Sequence, residues 1–267
     1  MKILALGCTH GKLPKDFGKL ARQADVVVCT GDMAAAGSYM APGKYKSVKR
    51  LYKWWDSLSK TEKKRMQKKI DSSYYSTVRK LILTEKPLVI LRGNMYRGKG
   101  GDKFTNTLFK KYKIDYVAVG KKKLWDYDFV ALDFHYEKHN IRPEGTNSKQ
   151  ETKRLLELFK LDMLTRMLPK FLEKSKNTII VSHVPPYRCL DALGGPHMPK
   201  KLRGRHVGSK LLRNAIEKYE PLLVICSHIH EARGVEKIGS TTVVNVGSFG
   251  QYALINVEEK KVKTRLR

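Results

Sequence analysis

In Leu222-Leu223-Val224-Ile225-Cys226-Ser227-His228-Ile229-His230 an apolar run of strand length, Leu222–Ile225, is followed within five residues by two histidines. An uninterrupted apolar run of this length is the pattern of a strand covered on both faces, as in a parallel sheet flanked by helices. Four other stretches repeat it: residues 3–6 lead to Cys8 and His10, 26–28 to Asp32, 88–91 to Asn94, and 179–181 to His183. Each run ends on a side chain able to ligate a divalent cation. Open α/β sheets bind ligands beyond the carboxyl ends of their strands, so five such endings can meet at one rim from five separate places in the chain. The pattern points to a metal-dependent enzyme.

At 267 residues the chain can bury a substantial core without disulfides or a structural metal. The candidate ligands extend from residue 8 to residue 230, which favours one domain over residues 1–267. Cys8, Cys29, Cys189 and Cys226 are too few for a disulfide scaffold, and three of them lie in or just after apolar runs. Reduced thiols in a cytoplasmic protein are therefore expected. The opening Met1-Lys2-Ile3-Leu4-Ala5-Leu6-Gly7 is too short an apolar stretch for a secretory signal, and no later stretch reaches the length of a membrane span.

Charge is the second unusual feature, because 54 Lys and Arg against 25 Asp and Glu leave a net charge of +29. Such a field attracts polyanions, whether nucleic acid, nucleotides or anionic membrane. Residues 44–86 carry 14 basic and 4 acidic side chains, whereas residues 207–267 carry 10 and 6. Nucleic acid held by the basic surface is one expectation, and a lysine coat serving solubility is the other. Hyperthermophile surfaces usually raise Glu along with Lys, which this chain does not do.

Strands are expected near residues 2–6, 25–29, 88–91, 114–119, 127–133, 177–181, 222–226, 232–238, 241–246, 251–257 and 261–266. Helices are expected near 15–22, 47–85 with a break, 104–112, 149–174 and 207–219, with Pro169 kinking or shortening the fourth. Alternation followed by consecutive strands implies two packed sheets. Residues 44–86 read as a basic helical insertion, with Tyr52, Trp54, Trp55, Tyr74 and Tyr75 among the lysines. Those aromatics either stack on bases or form the buried face of a helical hairpin. Lys121-Lys122-Lys123 reads as a solvated turn, and the Gly- and Pro-containing stretch 188–206, with His197 and His206, as a surface loop.

The blocks Gly7-Cys8-Thr9-His10-Gly11, Thr30-Gly31-Asp32, Arg92-Gly93-Asn94-Met95, Ser182-His183-Val184-Pro185-Pro186 and Ser227-His228-Ile229-His230 resemble the five signature blocks of the calcineurin-like metallophosphoesterase superfamily. Residues 204–209, 230–234 and 245–248 are similar to its small prokaryotic members. The resemblance implies an α/β fold, a four-layer αββα sandwich of two mixed sheets flanked by helices. It also implies two divalent ions (Mn, Zn or Fe), one held by Cys8, His10, Asp32 and His230 and the other by Asp32, Asn94, His183 and His228. Asp32, Asn94 and His183 are the implied catalytic residues. Ions sharing one carboxylate at about 3.5 to 4 Å can clamp both oxygens of an in-line displacement at phosphorus, with a water or hydroxide as nucleophile.

Two positions depart from the superfamily's pattern. Cys8 stands where an Asp is usual; a thiolate keeps the charge and suits Zn or Fe, with a metal bond of about 2.3 Å. The alternative is a small buried side chain that leaves the first site weak or empty. Met95 stands where a His usually contacts the phosphate or assists the leaving group, and a thioether donates no proton. A hydrolase favouring phosphodiesters over monoesters is the resulting expectation, with Arg92, Arg97 or Lys99 as substitute positive charge. The competing expectation is a weakly active or inactive member of the same fold that binds nucleic acid or a protein partner.

Overall fold

The computed structural model describes residues 1–35, 57–93, 107–113, 119–132, 166–173, 177–195, 200–259 and 261–267. Strand β1 (Lys2–Leu6) buries Ile3, Leu4, Ala5 and Leu6 in succession. Side chains alternate across a strand, so these four divide between two cores: Ile3 and Ala5 join one, Leu4 and Leu6 the other. A strand apolar on both faces has to be covered on both faces, and this requirement sets the layering of the whole chain.

The first sheet has five strands in the order β11-β10-β1-β2-β3, with β2 at Val26–Cys29, β3 at Leu88–Ile90, β10 at Tyr252–Glu258 and β11 at Lys261–Leu266. β1, β2 and β3 run parallel, while β10 is antiparallel to both β1 and β11. The second sheet has six strands in the order β4-β5-β6-β7-β9-β8, formed by Val119–Leu124, Tyr127–Leu132, Thr178–Ser182, Leu223–Cys226, Thr241–Asn245 and Gly234–Ile238 respectively. Its central strands β5, β6, β7 and β9 are parallel, and β4 and β8 pair antiparallel at the edges. Both sheets are therefore mixed.

Ile3, Val28, Leu91, Phe129, Val181, Ile225, Val244 and Ile255 fill the space between the two sheets. Helices α1 (Phe17–Gln23) and α2 (Lys60–Ile82), with a helical turn at 107–111, cover the outer face of the first sheet. Helix α3 (Lys210–Tyr219) and the helical residues 166–172 cover the outer face of the second. The result is the expected αββα sandwich.

Helix α2 explains how a lysine-rich segment belongs to this fold. Ile70, Tyr74, Thr77, Val78 and Leu81 recur at helical spacing and are buried, while the lysines face water. Tyr74 packs in the core with Leu4, Leu6, Met33 and Ile90, a burial worth about 1.5 to 3 kcal/mol for a side chain of its size. The break expected in the helical pattern falls just before Ser59, which caps α2: it accepts a hydrogen bond from the Glu62 amide, and the Glu62 carboxylate accepts one from the Ser59 amide. Tyr52, Trp54 and Trp55 lie outside the described residues.

Two expectations are corrected. Lys121-Lys122-Lys123 is not a turn but the middle of β4, paired with Val130, Phe129 and Asp128 of β5. An edge strand facing water shows no apolar run, and lysines on it block pairing with another chain. The last helix of the expected series does not begin at 207. Ser209 caps it through the Leu212 amide and α3 starts at Lys210. Around Pro169 the described helical residues are 166–172, ending short of the expected residue 174. No helix among the described residues is long and apolar enough to cross a membrane.

Candidate metal centre

Because β1 and β2 run parallel, as do β6 and β7, the segments carrying Cys8, His10, Asp32, His183, His228 and His230 all leave the carboxyl ends of their strands. The Cys8 amide donates to the Gly247 carbonyl (3.0 Å), the His10 amide to the Asp32 carbonyl (2.8 Å) and the Ser227 amide to the His183 carbonyl (3.2 Å). These bonds lace the separate loops into one rim. Asn94, Met95, Arg97, Lys99, His135, His139 and His197 lie outside the described residues.

The rim is locally strained. His10, Asp32 and His228 take positive φ values of 45°, 47° and 67° without being glycine. Such backbone costs on the order of 1 to 3 kcal/mol per residue and persists where the surroundings dictate it, commonly at functional sites. Asp32 is fitted so closely against Gly93 that a Cβ there would overlap the Asp32 carboxylate and its own amide. This is a packing reason for the Gly93 that precedes Asn94.

The side chains converge. His10 Nε2 lies 3.4 Å from His230 Nε2, His183 Nε2 lies 3.1 Å from His228 Nδ1, and His183 Nε2 lies 3.5 Å from Asp32 Oδ2. Single donor atoms of Cys8, His10 and His230 lie within 4.8 Å of one another, as do those of Cys8, Asp32 and His183. The Cys8 sulfur thus borders both groupings. Asp32 and His10 are 2% and 3% exposed and Cys8 and His183 are fully buried, with His228 and His230 partly so.

This donor set fits a cation. His183 Nδ1 lies 2.8 Å from the Thr30 carbonyl, which can only accept, so Nδ1 carries the proton and Nε2 turns its lone pair toward Asp32. Fixing the tautomer through the far nitrogen is how ligating histidines are usually held. Burial lowers the pKa of His228 to about 3 and that of His10 to about 4, and lowers His230 as well. All three are then neutral near pH 7, with lone pairs available to a metal. Burial, followed by the Asp32 charge, pushes the Cys8 thiol well above its ordinary range, and a bound cation is the influence that would reverse this.

Hydroxyl groups complete the cluster. Thr30 Oγ1 donates to the Leu6 carbonyl at 3.1 Å and lies 2.6 Å from Ser227 Oγ, which lies 3.1 Å from Cys8 Sγ. Each hydroxyl has one proton, so with Thr30 committed to Leu6, Ser227 donates to Thr30 and the Cys8 thiol donates to Ser227. A Cys8 thiolate would need that short chain to turn round, and the His228 amide already donates to the sulfur at 3.4 Å.

A sequence profile described as "Metallophosphoesterase, calcineurin superfamily" matches residues 146–266. In solved structures, the fold is similar to a dimetal phosphatase from Danio rerio, with 11% identity, TM-score 0.58 and coverage of 100% of this chain and 96% of that one. It is also similar to a Thermus thermophilus protein, with 15% identity, TM-score 0.55 and coverage of 99% and 98%. Residues 146–266 thus match the metallophosphoesterase model, and the chain as a whole shares the fold of that phosphatase. An uncharacterized protein of Methanocaldococcus jannaschii is 42% identical over 72 residues, 26% of this chain, and the match spans 31% of that relative. The metallophosphoesterase profile takes in His183, His228 and His230 but not Cys8, His10 or Asp32. Those three join the candidate centre on geometry.

Sequence reading did not single out three groups that the fold places here or beside it. Thr30 and Ser227 stand inside the quoted blocks, yet their contacts with Cys8 and with each other cross some 200 positions. Phe249, one residue past the last quoted segment, lays its ring 4.7 Å from that of His10 and 5.8 Å from that of His230. In the loop after His183, buried Asp191 accepts hydrogen bonds from the Arg188 and Gly208 amides at 3.1 and 2.8 Å and sits 2.6 Å from His206 Nδ1. Its neighbour Leu190 shares the Asn245 carboxamide with Ile229. The loop is thereby fastened beside the segment bearing His228 and His230, and His206 is part of that fastening.

Proposed function

We propose that the protein is a metal-dependent phosphoesterase that hydrolyses phosphate diesters in preference to monoesters. In this reading Cys8, His10, Asp32 and His230 hold one divalent ion (Mn, Zn or Fe), and Asp32, Asn94, His183 and His228 hold a second. The observation that supports it is the convergence of six donor side chains at the carboxyl ends of four strands, four of them buried, with His183 oriented from behind by Thr30. Divalent cations bound there would supply Lewis acidity toward the phosphoryl oxygens and lower the pKa of water.

The chain's own contribution is orientation and exclusion of solvent. Thr30 fixes the His183 tautomer, the Thr30–Ser227 pair positions Cys8, and burial keeps the imidazoles unprotonated. In this reading Asp32, 3.5 Å from His183 Nε2, is the carboxylate that both ions share. The preference for diesters follows from Met95, which cannot protonate a leaving group, so esters that leave readily are favoured.

The test is hydrolysis of bis-p-nitrophenyl phosphate and p-nitrophenyl phosphate by protein supplied with Mn, Zn or Fe(II), next to Asp32→Asn. The expected result is metal-dependent turnover, faster on the diester, that is lost in the variant. Turnover that survives chelation, or that Asp32→Asn leaves unchanged, overturns the assignment.

A further inference from the structure

Phe249 is an exposed aromatic ring, 43% accessible, in a chain whose other large apolar side chains are mostly buried among the described residues. Its backbone is strained, with φ of 52°, and its amide is pinned to the Cys8 carbonyl at 2.9 Å. The turn Ser248–Gln251 needs no aromatic residue at this position, and an unfavourable conformation that exposes a large ring is a reason to look for a ligand. The ring adjoins the candidate centre, tilted 34° against His10 at 4.7 Å and edge-on to His230 at 5.8 Å.

Phe249 also lines a cavity of about 640 Å³ together with Lys12, Lys15, Phe17 and Lys80, with no acidic side chain among the described residues that form it. Lys12 Nζ lies 5.8 Å from the centre of the Phe249 ring. Lys80 comes from α2, so the basic helix reaches this cavity with one of its lysines. An aromatic platform beside cations and next to a candidate metal centre matches a base that stacks and phosphates that are paired.

We infer that this cavity is the subsite for a nucleotide, with the nucleobase on Phe249 and a phosphate adjoining the scissile one among Lys12, Lys15 and Lys80. The inference rests on the phosphoesterase reading for its orientation, because Phe249 is the wall shared by cavity and metal ligands. A nucleoside polyphosphate and the terminal nucleotide of a strand present the same chemistry to this subsite.

The experiment measures binding by calorimetry to the full chain as purified. The probes are adenosine 5′-(α,β-methylene)diphosphate, methylenediphosphonate as the same anion without a base, and a four-residue phosphorothioate oligodeoxyadenylate. Wild type binds the adenosine probe roughly 10- to 100-fold more tightly than methylenediphosphonate, the contribution of one stacked base. Phe249→Leu removes that difference and leaves methylenediphosphonate binding unchanged, and Phe249→Trp retains it. Replacing Lys12, Lys15 and Lys80 together by Ala weakens both probes and flattens their salt dependence. Equal affinity for the two probes in wild type, or an equal loss of both in Phe249→Leu, overturns the inference. The oligonucleotide, compared with the adenosine probe, identifies whether the base arrives on a strand or free. None of these measurements needs turnover. Failure of bis-p-nitrophenyl phosphate hydrolysis therefore counts against the phosphoesterase reading alone, and lost base discrimination in an active enzyme counts against the subsite alone.

Discussion

Cys8, His10, Asp32 and His183 are almost wholly withdrawn from water, whereas Lys12, Lys15 and Lys80, around the cavity that Phe249 lines, stand in it. The two regions handle charge differently. In the buried cluster the polar side chains are positioned by one another, through Thr30, Ser227 and the loop amides, and water cannot replace a lost partner. In the lysine cavity each cation is solvated and screened by salt within about 10 Å at 0.1 M. Substitutions should therefore act sharply on the first region and gradually on the second.

The largest effect expected is that of Asp32→Asn. Removing the carboxylate proposed to be shared by both ions should lower phosphoesterase turnover by on the order of 10³ or more and reduce bound metal, measured by elemental analysis beside the assay. If metal content and rate both hold, the buried cluster is not the centre. Cys8 sharpens the same side of the comparison. Cys8→Asp should preserve or raise metal content and activity, while Cys8→Ala should lower both; equal behaviour of the two variants would make Cys8 a packing residue. Ser227→Ala comes next, with metal affinity falling about 10- to 100-fold, as for other residues that orient a ligand from behind, and little change in folding.

Asp191→Ala tests the loop that follows His183. It strands the Arg188 and Gly208 amides and the His206 ring, for an expected stability loss of about 2 to 4 kcal/mol in denaturant melts. A loss below about 0.5 kcal/mol would mean that the loop is held some other way. Alanine at solvent-facing lysines of α2, such as Lys64 and Lys68, should change stability by no more than about 0.5 kcal/mol and lower the salt sensitivity of polyanion binding in a gel-shift assay. An unchanged salt slope would place polyanion contact elsewhere.

Much of the fold was legible because its central strands are apolar on both faces and leave a mark that needs no knowledge of neighbours. The candidate ligands at 10, 32, 183, 228 and 230 were legible for a related reason, since each lies within a few residues of such a strand end. The lysines of β4 were misread because an edge strand in water lacks that mark. Helix α2 was recognisable from its spacing, but its partners Leu4, Leu6 and Ile90 come from other elements, so its place in the core was not. Phe249 was invisible for the strongest physical reason: its exposure depends on a positive-φ turn, and its neighbours are some 240 and 19 positions away.

The most direct test of the account is a crystal of the metal-supplemented protein measured at the Mn, Fe and Zn absorption edges. The account predicts two anomalous peaks at the rim, about 2.0 to 2.3 Å from nitrogen, oxygen or sulfur atoms of Cys8, His10, Asp32, His183, His228 and His230. Density at those edges that is absent from the rim, or that lies only on surface histidines, would contradict it.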